Sequence, residues 1–166
     1  MRKPILVVYA TKHESTHEVA ETLAARMRER GREVDVRPAA EVGTLKPYGA
    51  VVLGGALYTG RWHRDARRFL ARHRAELASL PIAVFAMGPL EMTPTDVAGS
   101  RRQLDHALAK EHDLEPVAVT VFGGVVDPAK LRFPFTHMDA TDARDWQAIT
   151  AWADELVDVF ATPAAA

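Results

Sequence analysis

Residues 5–16 read ILVVYATKHEST, a short apolar run followed directly by a polar stretch rich in hydroxyl groups. An apolar run without polar alternation predicts a strand that is buried on both faces, as in a parallel sheet. Apolar residues then recur every four positions from Val19 to Met27, which predicts an amphipathic helix over 15–30 that stops at Gly31. The opening of the chain therefore predicts a strand, a polar loop and a helix, in that order.

The same alternation continues along the chain. Strands are predicted over 5–9, 34–36, 50–53, 82–86 and 117–122. Helical patterns are predicted over about 15–30, 62–78, 96–112 and 142–160. Because parallel strands need a crossover helix, this pattern predicts an α/β three-layer sandwich with a five-stranded parallel sheet of order 2-1-3-4-5. A single domain is expected over 1–160, with a frayed tail over 161–166.

Composition excludes several classes of site. The 166 residues include no cysteine, so disulfides, thiolate metal sites, iron–sulfur clusters and a cysteine nucleophile are ruled out. His13 and His17 have the spacing of a zinc pair on a helix, but no third ligand is evident and no metal is expected. No apolar run approaches the length of a membrane span, and no cleavable leader is apparent, so a cytoplasmic protein without stable membrane insertion is expected.

Charge is distributed unevenly along the chain. Residues 1–80 carry 15 Lys and Arg against 9 Asp and Glu, whereas residues 81–166 carry 6 against 13. The difference is +6 for the first half and −7 for the second, which sum to the net charge of −1. A dipolar molecule is indicated, and nucleic acid is not an expected partner because the positive excess is too small.

The loop after the first strand has the chemistry of a phosphate site. Thr11, Ser15 and Thr16 bring three hydroxyl groups to the start of a helix, where backbone N–H groups are free to bind an anion. The alternative is that Ser15 only caps the helix, with Glu18 completing a capping box. Both interpretations stay open on the sequence alone.

Three further loops follow strands at the same edge of the predicted sheet. They span residues 54–62, 87–93 and 123–127, and each contains glycine. Glycine lets backbone approach a flat ligand closely, while Tyr58 and Trp62 offer ring faces for stacking. Alternatively, these aromatic residues pin their loop against the next helix. Together with the hydroxyl-rich loop, these loops describe a slot for a phosphate and a planar ring.

The strand ending at Ala10, the 11–16 loop and the following helix resemble the opening of flavodoxin-like flavin mononucleotide (FMN) domains. Residues 54–62 and the tail over 142–152 are similar to the menaquinone-dependent protoporphyrinogen oxidase branch of that family. The resemblance implies a flavodoxin-like fold with bound FMN, the cofactor supplying the chemistry. The implied cofactor residues are Thr11, His13, Glu14, Ser15, Thr16, Ala56, Leu57, Tyr58, Thr59, Gly60, Met87, Gly88, Pro89, Leu90, Gly123, Gly124 and Asp127.

The resemblance also implies an FMN-dependent oxidoreductase that acts on a porphyrinogen-like or quinone-like substrate. Its partners would be a small redox substrate or an electron-transfer protein, and a homodimer is allowed. No acid–base pair is evident from the spacing, so no catalytic side chain is predicted. Two other functions stay open: a flavodoxin-type electron carrier and a flavin-free binding protein. A deazaflavin in place of FMN is not excluded.

Two features depart from the family pattern. Glu14 stands where the phosphate loop usually has glycine, and its carboxylate would repel a phosphate by about 4 kcal/mol at 4 Å in a surface-like dielectric. Either this side chain faces solvent, for example paired with Lys12, or the loop is remodelled, or the carboxylate fills the phosphate cradle itself. In addition, only 132–139 remains of the longer insertion of quinone-using members, which puts coupling to membrane quinones in doubt.

A run of arginines begins at the end of the 54–62 loop and continues into the helix predicted after it. Arg61, Arg64 and Arg68 recur at helical spacing beside Trp62, and they form a basic stripe that favours an anionic substrate or an acidic electron partner. The alternative is an ordinary solvated helix face that backs Ala66 and its apolar neighbours.

Overall fold

The computed structural model of the chain describes residues 2–11, 14–58, 60–111, 113–126 and 141–162. The strands are β1 (Ile5–Ala10), β2 (Val34–Pro38), β3 (Ala50–Tyr58), β4 (Arg61–Trp62), β5 (Ile82–Met87), β6 (Ala118–Phe122), β7 (Val125–Val126) and β8 (Thr141–Asp142). The helices are α1 (Ser15–Glu29), α2 (Arg64–Arg72), α3 (Arg74–Leu77), α4 (Pro94–Leu108) and α5 (Trp146–Ala161), and a 3-10 turn (Ala39–Glu41) follows β2.

The five long strands form one parallel sheet in the order β2-β1-β3-β5-β6. This is the order 2-1-3-4-5 when only the long strands are numbered, so the predicted fold class is confirmed. All five strands end at the same edge, which we call the carboxyl edge. The strand order reverses between β1 and β3, and ligands of such sheets bind at the carboxyl edge near this reversal.

Residues that alternate along the strands divide the core into two clusters. Ile5 and Val7 of β1 point to the cluster that α1 and α5 cover, whereas Leu6 and Val8 point to the cluster under α2, α3 and α4. All four are fully buried, as the absence of polar alternation in this run predicts. Helices therefore cover both faces of the sheet and leave its carboxyl edge for ligands.

Side-chain caps explain where three helices begin. His63 accepts a hydrogen bond from the Asp65 N–H through Nδ1 at 3.0 Å, and so starts α2 two residues later than predicted. Thr93 accepts from the Asp96 N–H ahead of α4, and Asp145 accepts from two N–H groups ahead of α5. Helix α5 extends to Ala161, one residue into the predicted tail.

The third long strand begins at Ala50 as predicted but ends at Tyr58, five residues beyond the predicted run over 50–53. Its final residues pair with β4 in an antiparallel hairpin, with Tyr58 opposite Arg61 and Leu57 opposite Trp62. The prediction that 54–62 forms a loop is therefore wrong over most of its length. Gly60, at φ 81°, lies in this turn, where glycine adopts a left-handed conformation at no steric cost.

A second small ladder lies beyond β6. Val125 and Val126 of β7 pair with Asp142 and Thr141 of β8 in antiparallel register. The chain thus leaves this ladder after Val126 and returns to it at Thr141. Within the described ranges, no helix is long and apolar enough to cross a membrane.

Candidate functional site

Three segments at the carboxyl edge are joined by backbone hydrogen bonds. The Gly88 N–H donates to the Phe122 carbonyl and the Gly124 N–H donates to the Pro89 carbonyl, both at 2.9 Å. The Ala143 N–H then donates to the Gly124 carbonyl at 3.0 Å. The loops after β5 and β6 and the turn before α5 therefore form one connected wall, which brings the predicted Gly88, Pro89 and Gly124 together.

The start of α1 differs from the capping-box interpretation. Glu14 occupies the N-cap position and Ser15 is already the first helical residue, so Ser15 is not the cap. Glu18 pairs with Arg144 at 3.1 Å instead of reaching back to the cap. The Glu14 side chain makes no capping hydrogen bond, so it leaves the N–H groups of the first turn to another acceptor.

The side-chain hydroxyl of Thr16 is a buried polar group at the carboxyl edge. Its side chain is fully buried, and its Oγ1 has no hydrogen-bond partner among the described residues. A buried hydroxyl without a partner costs about 1–3 kcal/mol, so native proteins rarely keep one without a reason. The hydroxyl lies in the first turn of α1, where the helix dipole and free N–H groups already favour an anion.

Glu14 is exposed to solvent. This position favours the first of the three interpretations of Glu14, in which the carboxylate faces away, because a carboxylate that filled the cradle would accept hydrogen bonds from the first-turn N–H groups. Lys12, the partner suggested by the sequence, lies outside the described residues, as do the predicted site residues His13, Thr59 and Asp127 and the segment 132–139.

Arg144 connects the turn before α5 to the first turn of α1. Its side chain is only 9% exposed, and its Nη1 lies 3.1 Å from Glu18 Oε2 and 3.4 Å from the Ser15 carbonyl. Its guanidinium also lies over the Trp146 ring, 4.7 Å from the ring centroid. Hydrogen bonds from Arg144 lower the pKa of Asp142, which stays ionised. Arg144 was not among the predicted site residues, although it stands in the tail that carried the family resemblance.

The aromatic residues of the β3–β4 hairpin have different environments. Trp62 is 1% exposed, and its Nε1–H donates to the Gly55 carbonyl at 3.0 Å, so the prediction that it contacts a substrate or partner is wrong. Tyr58 is half-buried, packs against the α1 and α5 side of the core and lies edge-on to His63 at 6.3 Å. Burial raises the pKa of Tyr58, so its hydroxyl remains a proton donor at neutral pH.

The glycines of β3 make room for protein side chains instead of a flat ligand. A Cβ on Gly54 would lie 1.9 Å from Cζ of Phe85, and one on Gly55 would lie 2.8 Å from Nε1 of Trp62. The sequence-based interpretation of these two glycines is therefore wrong. Core packing between β3, β5 and the hairpin explains them fully.

The remaining predicted cofactor residues lie at or next to strand ends. Ala56 and Met87 are buried within their strands, and Leu57 packs against the α2 and α4 side of the core. Leu90 is 37% exposed and Gly123 contacts Ala143 closely enough that a Cβ would overlap the Ala143 carbonyl. Strand ends and joined loops therefore place these residues along one edge.

The arginine helix has the apolar inner face that the sequence suggested. Ala66 and Phe69 are fully buried, and Arg64 and Arg68 are exposed on the outer side. Arg61 is exposed at the end of the hairpin, directly opposite Tyr58. The basic stripe therefore exists and begins at the carboxyl edge.

A parallel sheet of this order, with a hydroxyl-rich helix start after its first strand, defines a class of protein. A family model described as flavodoxin domain matches residues 6–138, and the chain belongs to this family. Over 175 aligned residues, the chain is 22% identical to protoporphyrinogen IX dehydrogenase (quinone) of Escherichia coli (strain K12), and the match covers 95% of this chain and 97% of that relative.

Solved structures share the fold. The oxidised flavodoxin 1 of Bacillus cereus superposes with a TM-score of 0.61 at 17% identity, covering 93% of this chain and 97% of that one. A serine-for-cysteine mutant of a Pseudomonas aeruginosa flavodoxin gives a TM-score of 0.62 at 16% identity, covering 96% and 99%. At such low identity these likenesses establish the fold alone.

Proposed function

We propose that the protein binds FMN at the carboxyl edge and acts as an oxidoreductase. The observation that carries this proposal is the buried, unpartnered hydroxyl of Thr16 in the first turn of α1. A phosphate there would accept from this hydroxyl and from the first-turn N–H groups, which removes the cost of the orphaned polar atom. The chemistry of the donors therefore fits the phosphate end of FMN.

The residues of this edge divide the binding task. Thr11, Ser15 and Thr16 would hold the phosphate, while Tyr58 and the backbone of 88–90 would flank the ring. When bound, FMN supplies reversible electron transfer, which no side chain of this chain provides. The joined wall of 88–89, 122–124 and 143 keeps the ring-side loops in place.

The substrate class that we propose is a porphyrinogen-like or quinone-like ring compound. Support comes from the name of the Escherichia coli relative and from its match over nearly the whole length of both chains. An electron carrier of the flavodoxin type is the second candidate, because the structural likenesses to flavodoxins hold equally for it. Location in the cytoplasm and a homodimer remain predictions.

Titration of the apo-protein with FMN and with riboflavin tests cofactor binding. We expect FMN fluorescence to be quenched on binding and riboflavin, which lacks the phosphate, to bind at least about tenfold more weakly, since charge-assisted hydrogen bonds are worth about 1.5–3 kcal/mol. Equal affinity for both flavins would refute the phosphate site, and failure of both to bind would refute the proposal. Deazaflavin mononucleotide in the same assay identifies a preference for that cofactor.

Glu14→Gln separates the interpretations of Glu14. Because the carboxylate is exposed and caps nothing, we expect the variant to bind FMN within about threefold of wild type, as its long-range repulsion is screened by solvent. If instead the wild type binds no FMN and Glu14→Gly restores binding, the carboxylate fills the cradle and the protein is a flavin-free relative.

A further inference from the structure

The arginines of the β4–α2–α3 segment fall into two groups. Those of the first group form hydrogen bonds or an ion pair with other segments of the chain. Arg67 donates through Nε to the Trp62 carbonyl at 3.1 Å, and Arg72 donates through Nη2 to the Ala39 carbonyl at 2.8 Å. Arg74 pairs with Glu111 at 2.6 Å. These three cations each bridge separate segments of the chain, so their structural roles are evident.

The second group consists of Arg61, Arg64 and Arg68, which we call the basic patch. All three are exposed. Arg61 and Arg68 make no hydrogen bond or ion pair with the described residues, and Arg64 has only a 3.9 Å ion pair with its neighbour Asp65. The fold therefore gains little from these three charges.

Arg64 stands in a position that opposes helix stability. It is the first residue of α2, where the helix dipole is positive and where acidic residues are favoured. Arg68 follows one turn later on the same outer face, so two like charges also face each other at the i, i+4 spacing. A cation that conflicts with the local electrostatics, and whose side chain bridges nothing else, points to a role outside folding.

The patch lies next to the proposed ring site. Arg61 is the register partner of Tyr58 across the hairpin, and the patch extends from there along the outer face of α2. At the end of the neighbouring strand β5, Leu90 and Met92 are 37% and 47% exposed, which adds apolar surface at the same edge. Cations beside exposed apolar side chains form a surface suited to a polar, acidic partner with a small apolar centre.

We infer that the basic patch docks an acidic redox protein beside the carboxyl edge. The inference rests on the proposed function, since such a partner would dock where electrons are exchanged. The three arginines stand on a hairpin end and on the outer face of a helix, which are convex, whereas small ligands bind in concave sites. Their geometry therefore favours a protein surface over a small polycarboxylate.

Replacement of all three arginines by alanine tests this inference. The probe is a plant-type 2Fe–2S ferredoxin, an acidic redox protein, with binding measured by calorimetry at 20 mM and 200 mM NaCl. At low salt we expect the Kd of R61A/R64A/R68A to rise roughly tenfold, as three exposed charge pairs worth about 0.5 kcal/mol each predict. Wild-type affinity should fall with salt, and that of the variant should fall less.

A matched variant separates docking from net charge. K3A/K46A/K110A also removes three positive charges, but from exposed positions at the opposite edge of the sheet. We expect its Kd for ferredoxin to stay within twofold of wild type. Thermal melting of both triple variants checks folding. Their FMN titrations check the cofactor site separately, so that loss of docking and loss of FMN binding are told apart.

Three outcomes would overturn the inference. The first is no salt-dependent binding of ferredoxin to wild type, and the second is an equal loss in both triple variants. For the third, binding of mellitate, a small hexacarboxylate, is measured in the same way. The inference fails if R61A/R64A/R68A loses affinity for mellitate while its affinity for ferredoxin is unchanged. That third result would assign the patch to a small anionic substrate.

Discussion

The guanidinium of Arg144 donates to both carboxylate oxygens of Asp142, from Nε at 2.9 Å and from Nη2 at 2.7 Å. From the same side chain, Nη1 reaches Glu18 and the Ser15 carbonyl in α1. The backbone N–H of Ala143, which lies between Asp142 and Arg144 in the sequence, donates a hydrogen bond to the Gly124 carbonyl. One largely buried cation therefore joins the helix start that would hold a phosphate to the wall that would flank a ring.

Arg144→Met should lower the free energy of unfolding by about 1–3 kcal/mol, because Asp142 and Glu18 lose their shared partner. FMN affinity should fall more than riboflavin affinity, since the change loosens the first turn of α1. Urea denaturation and flavin titration measure the two effects. The matched control is Arg101→Met, whose exposed pair with Asp105 at 2.9 Å should contribute under about 0.5 kcal/mol. Similar losses in both variants would contradict the anchoring role.

Thr16→Val should have opposite effects on stability and on binding. The substitution keeps the shape of the side chain and removes the buried hydroxyl that lacks a partner, so the apo-protein should gain up to about 1 kcal/mol. FMN affinity should fall about tenfold or more as one charge-assisted hydrogen bond is lost. Denaturation without flavin and fluorescence titration measure the two quantities.

Thr22→Val is the control for Thr16→Val. Its hydroxyl donates to the Glu18 carbonyl at 2.9 Å within α1, away from the helix start, so FMN affinity should not change. A Thr16→Val protein that is destabilised without flavin, and that still binds FMN as tightly as wild type, would show that this hydroxyl does not face a phosphate.

Glu76 predicts part of the acid sensitivity of the fold. Hydrogen bonds from His73 and from the Leu45 N–H lower the pKa of this carboxyl. Because the folded state has the lower pKa, the stabilisation is fully present above the unfolded value of about 4.3 and is lost as pH falls through the folded value. Glu76→Gln should therefore be less stable than wild type at pH 7 and should lose less stability between pH 6 and pH 3.5.

Urea titrations at several pH values measure this difference in slope. The matched control is Glu155→Gln in α5, since the Glu155 side chain is exposed and makes no ion pair or hydrogen bond with the described residues. Its stability should follow the wild-type pH dependence. If Glu76→Gln also follows it, the contact between His73 and Glu76 does not contribute to acid unfolding.

Gly54→Ala should cost about 3 kcal/mol or more, because the new Cβ would lie 1.9 Å from Phe85 Cζ. Gly43→Ala, where no atom lies within 4 Å of the added Cβ, should change stability by less than about 0.5 kcal/mol. Adding Phe85→Leu to Gly54→Ala should recover part of the loss, so the two changes should not be additive. Strict additivity in urea denaturation would contradict the packing explanation.

The sequence predicts the sheet well because the relevant signal is local. Each buried strand is an apolar run, and the run from Ile5 onward has no alternation, so both its faces had to be covered. Five such strands that alternate with helices favour the order 2-1-3-4-5, and the structure confirms this order. Helix starts differ by a few residues because side chains such as His63 act as caps.

What the sequence does not reveal depends on contacts between distant residues. Gly54 and Gly55 have the composition of a loop, yet they continue a strand because Phe85 and Trp62 occupy the space above them. Arg144 and Glu18 are 126 positions apart, and no local pattern predicts their contact. The orphaned hydroxyl of Thr16 likewise becomes visible only when its surroundings are known.

The ladder of β7 and β8 has a consequence for how this scaffold varies. Val126 and Thr141 are paired, so the points where the chain departs and returns are held side by side whatever connects them. Doubling the length of such a connection costs only about 0.6 kcal/mol of closure entropy. The length and sequence of the connection between Val126 and Thr141 can therefore change at little entropic cost while the parallel sheet stays the same.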